Sequence, residues 1–442
     1  MARATRSPTE SARAVAALVV VALGAALFAV AFRTLLARVF SLAGAHNVVS
    51  LFERLPWWAR LLLPAAGALL AGLTGRLSPK SQGVGDVMEA VALGRTQLSL
   101  RTTLPKSLGS WLAQVGGGSV GREGPLILFG ASLASEVARY SGLSEPRARA
   151  LMAAGTAAGF AAAYNTPFAA ILFVLEIVTG VAAFEAVVGT VFATAIATAA
   201  TRALVGGGPI YGQRGFVLAS SLELVAHTGL GVLAALAVFA FTTGLALGER
   251  VFARLGQPWR AACGGLVVGA VATLLPSITG NGYEPLNQLL DGEVALAGVL
   301  VLILAKPFAT VASVSSGSPG GVFTPTLLLG AAMGTVLHAV LARLLPGVAL
   351  GGAGAYALVG MAAATAATTH APVMAAVLVF ELSQDYAVVL PLLLATATAT
   401  VISRRLGRDS MYAAELRRRG VVWELTLEGR RVEKDGQSAR SE

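Results

Sequence analysis

One charged pair lies inside a glycine-rich stretch. Residues Gly116 to Gly130 read GGGSVGREGPLILFG, so Arg122 and Glu123 separate a glycine run from an apolar run. Glycine tolerates positive φ and close backbone approach, which predicts a loop shaped by its main chain. Pro125 favours the start of a helix, whose first turns carry unpaired N–H groups and the positive end of the helix dipole. We therefore predict an anion site in which the Glu123 carboxylate can itself lie.

The composition places this loop in a polytopic membrane protein. Of 442 residues, 55% are hydrophobic and only 13% are charged, against about 25% charged residues in an ordinary soluble domain. Several apolar runs, such as 61–73, are shorter than the roughly 20 residues of a straight span, which predicts tilted, broken or re-entrant helices. The alternative for Glu123 is that it only caps a helix or pairs with Arg122. Because ionisable groups at membrane depth are costly and usually functional, the anion site is favoured.

An internal repeat must position these residues. LPKSLGSWLAQVGGGSVGREGPLILFG, from Leu104, aligns without a gap with LAKPFATVASVSSGSPGGVFTPTLLLG, from Leu304. A second match joins YNTPFAAILFVLE at 164–176 to THAPVMAAVLVFE at 369–381, with Glu176 opposite Glu381. The matched pairs of the first alignment include Lys106 with Lys306, Gly121 with Gly321, Glu123 with Phe323, Pro125 with Pro325 and Gly130 with Gly330.

Duplicated halves of this kind indicate a transporter or a channel. Segments interrupted by Gly and Pro at matching positions are typical of a site near the membrane midplane, between the repeats. Prolines open four helices whose positive N-terminal ends can point inward, which favours an anion as the permeant species. These prolines are Pro125, Pro167, Pro325 and Pro372.

Other function classes are disfavoured by residue usage. The net charge of +10 comes from basic residues concentrated at the two ends, which is the positive-inside pattern and predicts cytoplasmic termini without a nucleic-acid partner. The single cysteine, Cys263, excludes an intramolecular disulfide, and the histidines lack metal-ligand spacing, so we expect no metal and no cofactor. An intramembrane enzyme is a remote alternative, because no nucleophile has a helical His partner and the aspartates are scattered. We expect no enzyme activity.

The motifs resemble those of the CLC family of chloride channels and chloride/proton antiporters. GREGP at 121–125 and GGVFTP at 320–325 carry this resemblance, together with the contexts of Lys106 and Pro167. It implies an all-α polytopic membrane protein with two inverted repeats of tilted, broken and re-entrant helices. It also implies a homodimer with one pore per subunit, embedded in lipid in the cell (inner) membrane. The expected function is transport of chloride or another small anion, exchanged for protons or, alternatively, conducted passively as in a channel.

The resemblance also implies roles for individual residues. Glu123 would be the external gate, which occupies an anion site when ionised and swings out when protonated. The backbone around Val322 and Phe323 and the hydroxyl of Tyr412 would coordinate the central anion, although Tyr412 could instead be an interfacial aromatic. Apart from the resemblance, Lys106 lies beside an apolar segment and would raise the positive potential of the pore, the alternative being that it extends to the lipid headgroup layer. The complete set of expected anion-binding residues is Gln82, Gly83, Arg122, Val322, Phe323 and Tyr412.

Two departures from the family pattern concern the pore. The first anion loop usually reads GSGIP, but Ser81-Gln82-Gly83-Val84-Gly85 stands here, so fluoride or another anion is an alternative to chloride. Family antiporters often carry an internal proton-relay glutamate at the position of Ile177, which cannot take a proton. The neighbouring Glu176 could substitute in gating or proton transfer, or it could be a helix-end carboxylate mirrored by Glu381.

The expected domain organisation is simple. Residues 1–14 form a cytoplasmic tail, and 15–415 form the CLC-type transmembrane domain, with halves near 50–205 and 225–415. Residues 416–442 are a short cytoplasmic tail, too short for the paired regulatory domains of some relatives.

Overall fold

The membrane part of the chain is built from helices. The first nine of them, in a computed structural model, are α1 (Pro8–Leu42), α2 (Val48–Arg54), α3 (Trp57–Gly75), α4 (Val84–Leu93), α5 (Leu100–Val115), α6 (Glu123–Tyr140), α7 (Glu145–Tyr164), α8 (Pro167–Phe173) and α9 (Phe184–Val205). The residues that the structure describes are 8–78, 83–93, 98–179, 184–208, 210–212, 214–407, 409–417, 420–426, 429–434 and 437–438.

The second half of the chain repeats this succession of long and short helices. A π-helical turn, Val174–Thr179, continues α8 before the first half ends with α9. The later helices are α10 (Glu223–Phe252), α11 (Trp259–Leu274), α12 (Tyr283–Leu290), α13 (Leu296–Ser315), α14 (Phe323–Leu344), α15 (Ala353–Thr369), α16 (Pro372–Ser383), α17 (Val389–Arg405) and α18 (Met411–Arg417).

Helix lengths confirm the expected mixture of complete and partial spans. Among the described residues, seven helices are long and apolar enough to cross a membrane, by length and composition. The segments Pro167–Thr179, Trp259–Leu274 and Pro372–Ser383 are apolar but shorter. Such short pieces are stable at membrane depth only where protein surrounds their ends.

Small residues bring the central helices together. α7 and α15 are alanine-rich; every residue of α7 from Leu151 onward is buried, and so is every residue of α15 from Gly354 onward. A Cβ added to Gly130 on α6 would collide with the carbonyl oxygen of Gly155 on α7, and Gly330 on α14 stands in the same relation to Gly360 on α15. Backbone contact of this kind is how small residues stabilise helix pairs in membranes. The two repeats therefore share one packing device around the core.

Corresponding turns start the short helices of both repeats. Asn165 follows the end of α7 and His370 follows the end of α15, and each lies in the left-handed region with φ of 59°. Two residues later a proline begins the next helix, which confirms the predicted starts at Pro167 and Pro372.

The other two predicted helix starts are corrected by two residues. α6 begins at Glu123 and α14 at Phe323, so Pro125 and Pro325 lie within the first turn. A proline is tolerated anywhere in that turn, because the N–H groups there have no helical acceptor. The proline therefore marks the turn and does not fix its first residue. As a result, Glu123 belongs to the helix itself.

The C-terminal segment, expected as a short tail, contains β-strands. Three antiparallel strands, β1 (Val421–Thr426), β2 (Gly429–Lys434) and β3 (Gln437–Ser438), form a sheet in that order. In the β1–β2 ladder Val421 pairs with Lys434 and Thr426 pairs with Gly429. The membrane part remains helical, and the sheet follows α18 directly.

Candidate functional site

The Glu123 carboxylate lies at the N-terminus of a helix from the other repeat. The backbone N–H of Thr324 donates to Glu123 Oε1 at 3.0 Å, and Thr324 Oγ1 donates to Oε2 at 3.0 Å. Thr324 is in the first turn of α14, whose N–H groups lack helical acceptors. Only 2% of Glu123 is exposed. The carboxylate therefore receives the hydrogen bonds that a free anion at this helix end would receive.

A tyrosine extends this hydrogen-bonded group. Tyr164, the last residue of α7, lies 2.9 Å from Thr324 Oγ1 through its hydroxyl oxygen. Because Thr324 Oγ1 donates its single proton to Glu123, the Tyr164 hydroxyl is the donor in this second bond. The resulting chain of donors fixes the direction of both hydroxyl groups towards Glu123.

The two glycine loops are joined beside the carboxylate. Gly121 N donates to Gly321 O at 2.7 Å, and Gly321 N donates to Gly121 O at 3.0 Å, which makes an isolated antiparallel bridge between the repeats. A Cβ on Gly121 would collide with the Glu123 carboxylate, and one on Gly321 would lie 2.9 Å from Glu123 Oε1. Glycine at both positions leaves room for the acidic side chain, which folds back over them.

A cavity of about 690 Å³ leads to Glu123 from the side of the molecule that carries α18. The N-terminal ends of α4, α6 and α14 reach it, and their dipoles contribute positive potential there. The cavity contains most of the side chains and backbone that the sequence analysis assigned to the pore. Its lining includes Gly83, Lys106, Glu123, Val322, Phe323 and Tyr412.

Tyr412 is part of the cavity wall and not an exposed interfacial aromatic. It is 4% exposed, and its ring meets that of Phe173 edge-on with 5.9 Å between centroids. The charges of Glu123 and Glu415 both act on its hydroxyl group. This position is compatible with the expected role in anion coordination, which stays a prediction.

Arg122 is not among the described residues that line the cavity. Arg122 is half-buried, and its charge acts on Arg33 and Glu284. Its expected role in anion binding stays a prediction. Gln82 lies outside the described residues, so its expected role as an anion ligand stays a prediction.

Glu176 holds a helix end at a distance from the cavity lining. Its carboxylate accepts hydrogen bonds from Met374 N at 2.6 Å and Val373 N at 3.4 Å, in the first turn of α16. Glu381 makes the mirrored pair, with Ala169 N at 2.7 Å and Phe168 N at 3.1 Å in the first turn of α8. Each repeat therefore caps the short helix of the other. This geometry fits the alternative that Glu176 is a helix-end carboxylate.

The reciprocal caps also correct the prediction that four proline-opened helices face the anion. The N-termini of α8 and α16 are held by Glu381 and Glu176. The N-terminus of α4, which no proline opens, reaches the cavity instead. The sequence around Glu176 and Glu381 gives no signal for this exchange of caps. The exchange depends on which helices pack against each other in the fold.

The paired lysines have different surroundings. Lys106 lines the cavity, whereas Lys306 is 1% exposed and donates to the carbonyl oxygens of Ile278 at 2.8 Å and Gly280 at 2.7 Å. Lys306 therefore ties α13 to the turn before α12, and Lys106 supplies charge to the cavity.

Two polar residues of the site were missed by the sequence analysis. Thr324 is the hydrogen-bond donor to Glu123, and Glu415 places a further carboxylate in the cavity. The repeat alignment offered a signal for Thr324, because it puts a hydroxyl opposite Gly124. Helix periodicity offered one for Glu415, which follows Tyr412 by three residues and so shares its helix face.

Comparison with known proteins agrees with this arrangement. A family model described as voltage gated chloride channel matches residues 66–404. The chain belongs to this family. The resemblance inferred from the GREGP motif and its partner loop is thereby confirmed, and the helical, duplicated membrane fold with it.

Two relatives within the voltage gated chloride channel family match along most of their length. A ClcB-like chloride channel protein of Ralstonia nicotianae is 41% identical over 405 residues, covering 89% of this chain and 94% of the relative. The voltage-gated ClC-type chloride channel ClcB of Salmonella typhimurium is 35% identical over 404 residues, covering 88% and 95%.

Solved structures share the fold. A slow cyanobacterial Cl⁻/H⁺ antiporter superposes with a TM-score of 0.79 at 24% identity, covering 92% of this chain and 97% of that one. A CLC-type fluoride/proton antiporter gives a TM-score of 0.73 at 24% identity, covering 90% and 97%. Antiporters named for two different anions therefore share this architecture.

Proposed function

We propose that this protein moves small anions across the membrane, chloride first among them, in exchange for protons, with Glu123 as the gate. The observation that carries the proposal is the position of the Glu123 carboxylate. It lies at the end of the cavity, on the N-terminus of α14, with both oxygens hydrogen-bonded to Thr324. A negatively charged side chain thus occupies the place that suits a permeant anion.

Competition for this place supports both gating and exchange. When Glu123 is ionised, Thr324 and the helix dipoles stabilise it, and an anion in the cavity meets a like charge. Protonation removes the negative charge and weakens the two hydrogen bonds, because bonds to ionised groups are the stronger ones. The side chain then leaves, and an anion takes over the N–H of Thr324. Proton binding and anion binding therefore favour each other at the gate.

Chloride is the substrate that the relatives favour. The ClcB proteins at 35% and 41% identity are named as chloride channels. Fluoride is the alternative, since the loop residue Gln82 differs from the family's usual serine and one fold relative is a fluoride/proton antiporter. Competition between fluoride and chloride fluxes in reconstituted vesicles decides between the two.

A passive, channel-like pathway is the second candidate function. Ile177 is 4% exposed and apolar, so the position where family antiporters carry an internal acid holds no proton acceptor. In this alternative Glu123 still gates the anion, but no proton crosses with it. The same flux measurement distinguishes it from exchange.

We further propose a homodimer with one cavity per subunit in a bacterial inner membrane, with both termini cytoplasmic. Large apolar side chains are exposed along α8, α9, α16 and α17 and supply a surface that a second copy can cover. They include Phe168, Val191, Phe192, Val373, Leu390 and Leu394.

The test is ion flux in proteoliposomes under an imposed chloride gradient, for the unaltered protein and for Glu123→Gln. We expect uphill proton movement in the unaltered protein, and its loss in Glu123→Gln together with the pH dependence of chloride flux. Glu293→Gln, an exposed carboxylate before α13, serves as the matched control and should behave as the unaltered protein. Chloride flux without proton movement in the unaltered protein contradicts exchange. Unchanged pH dependence in Glu123→Gln contradicts the gate.

A further inference from the structure

The cavity contains a carboxylate that the gate does not use. Glu415 lies on α18, three residues after Tyr412, and lines the same cavity as Glu123. An ionised carboxylate in an anion pathway repels the permeant ion. Its presence therefore requires an explanation beyond anion binding.

Glu415 packs directly on the loop that precedes α4. A Cβ added to Gly83 would lie 2.5 Å from Glu415 Oε1, and one added to Gly85 would lie 3.1 Å from Glu415 Cδ. Gly85 stands where the family pattern has a proline, whose Cβ would crowd the acid. The lack of a side chain at Gly83 and at Gly85 thus makes room for the Glu415 carboxyl group beside the N-terminus of α4.

Charged and titratable groups face Glu415 from several elements. Asp86 on α4 accepts the Gly83 N–H, and Asp409 pairs with Arg417 at 3.0 Å, so both carboxylates already have partners. The charges of Glu415 and Glu123 both act on the Tyr412 hydroxyl, which places Tyr412 in the field of both acids. The neighbouring helix α15 carries no acidic or basic side chain. The remaining groups on the cavity wall are Lys106 on α5, Glu249 on α10 and Glu123 on α6.

We propose that Glu415 is the inner proton acceptor of this transporter, in place of an acid at Ile177, and that protons and anions share the cavity on this side. The proposal rests on the proton-coupled exchange proposed above. A proton from the inner solution binds a Glu415 oxygen, passes through cavity water and binds a Glu123 oxygen. Glu415 thereby returns to its ionised form, and the proton is conserved. An anion in the cavity increases the proton affinity of Glu415, and by reciprocity a protonated Glu415 increases anion occupancy. An anion moving inward therefore draws a proton towards the gate.

The experiment measures chloride and proton fluxes together in proteoliposomes, for Glu415→Gln and Glu415→Asp. We expect Glu415→Gln to retain chloride flux while proton flux falls by about a hundredfold, as for the loss of a positioned proton-transfer group. Glu415→Asp keeps a titratable carboxyl and should restore part of the proton flux. Glu293→Gln alters the exposed carboxylate before α13, which is not among the described residues that line the cavity, and should keep the proton-to-chloride ratio of the unaltered protein.

The possible failures are distinguishable. A coupling ratio that survives in Glu415→Gln overturns the role of Glu415 and leaves coupled exchange standing. Chloride flux without proton movement in the unaltered protein overturns coupled exchange, and the role of Glu415 with it. Parallel loss of both fluxes in Glu415→Gln and Glu415→Asp, with folded protein, assigns Glu415 a structural role only and overturns the proposal.

Discussion

The two glycine loops of the molecule have corresponding backbone structures, but an acidic side chain follows one and an apolar side chain follows the other. Each leads into a helix with a proline in the first turn, and the loops bond to each other through Gly121 and Gly321. The first loop then carries Glu123, whereas the second carries Phe323, which is 2% exposed and meets the ring of Phe160 edge-on at 5.8 Å. Duplication thus supplies two converging helix ends. One difference between the repeats, Glu123 against Phe323, gives α6 the carboxylate and leaves α14 to donate hydrogen bonds to it.

The paired lysines show the same division between scaffold and function. Lys106 is in the cavity wall, and Lys306 is bonded to two backbone carbonyl groups in the interior. Equivalent positions in the repeats therefore need not carry equivalent roles, and substitutions at matched positions measure the difference.

The largest contrast is expected between Lys306→Met and Lys106→Met. Lys306→Met leaves the carbonyl groups of Ile278 and Gly280 unsatisfied, which should lower the free energy of unfolding by about 3 kcal/mol or more. Lys106→Met should change stability little and weaken anion binding, since it removes positive charge from the cavity wall. Thermal unfolding in detergent and anion-binding calorimetry measure the two effects. Equal destabilisation by both variants would contradict the division of roles.

A smaller effect is expected at Thr324, which stands opposite Gly124 in the repeat. Thr324→Val removes the hydroxyl donor to Glu123 and keeps the backbone N–H, so the ionised gate is less stabilised. The pH of half-maximal chloride flux should rise by about one unit, the equivalent of one hydrogen bond to a charged group. Thr324→Ser preserves the donor and should keep the original midpoint. A midpoint that moves to lower pH in Thr324→Val would be evidence against the hydrogen-bonded gate.

The smallest effects should be equal in the two repeats. Glu176→Gln and Glu381→Gln each weaken one helix cap, and each should lower the free energy of unfolding by about 1 kcal/mol. Thermal unfolding of the two variants in parallel measures this symmetry, and proton flux in vesicles extends it to function. If Glu176→Gln alone abolished proton movement, Glu176 would be the proton relay that the sequence left open.

Local sequence signals predicted the parts of the fold that depend on the backbone. Pro167 and Pro372 mark helix starts because proline needs no hydrogen bond there. The gapless alignment of the repeats predicted that Gly121 and Gly321 occupy equivalent places, and the structure brings them into direct contact. The alternation of long and short apolar runs predicted broken helices, because the length of a run is also a local property of the sequence.

The remaining features depend on neighbours that are distant in sequence. The partners of Glu176 and Glu381 are set by the packing of α8 against α16, and the burial of Lys306 is set by the turn before α12. The position of Glu415 against Gly83 depends on how α18 packs against the N-terminus of α4. No local pattern records these approaches, because each is made by a tertiary contact.

The exchange of helix caps has a consequence for the order in which the molecule is made. Glu176 is already present in the chain when α16 is synthesised, so that helix meets its cap on arrival. α8 has no such advantage, because Glu381 lies 212 residues beyond Ala169. During biosynthesis the N-terminus of α8 lacks its cap until nearly the whole membrane domain has left the ribosome. Two caps that are equivalent in the mature protein thus form at different times, and α16, from the second half, completes the first half.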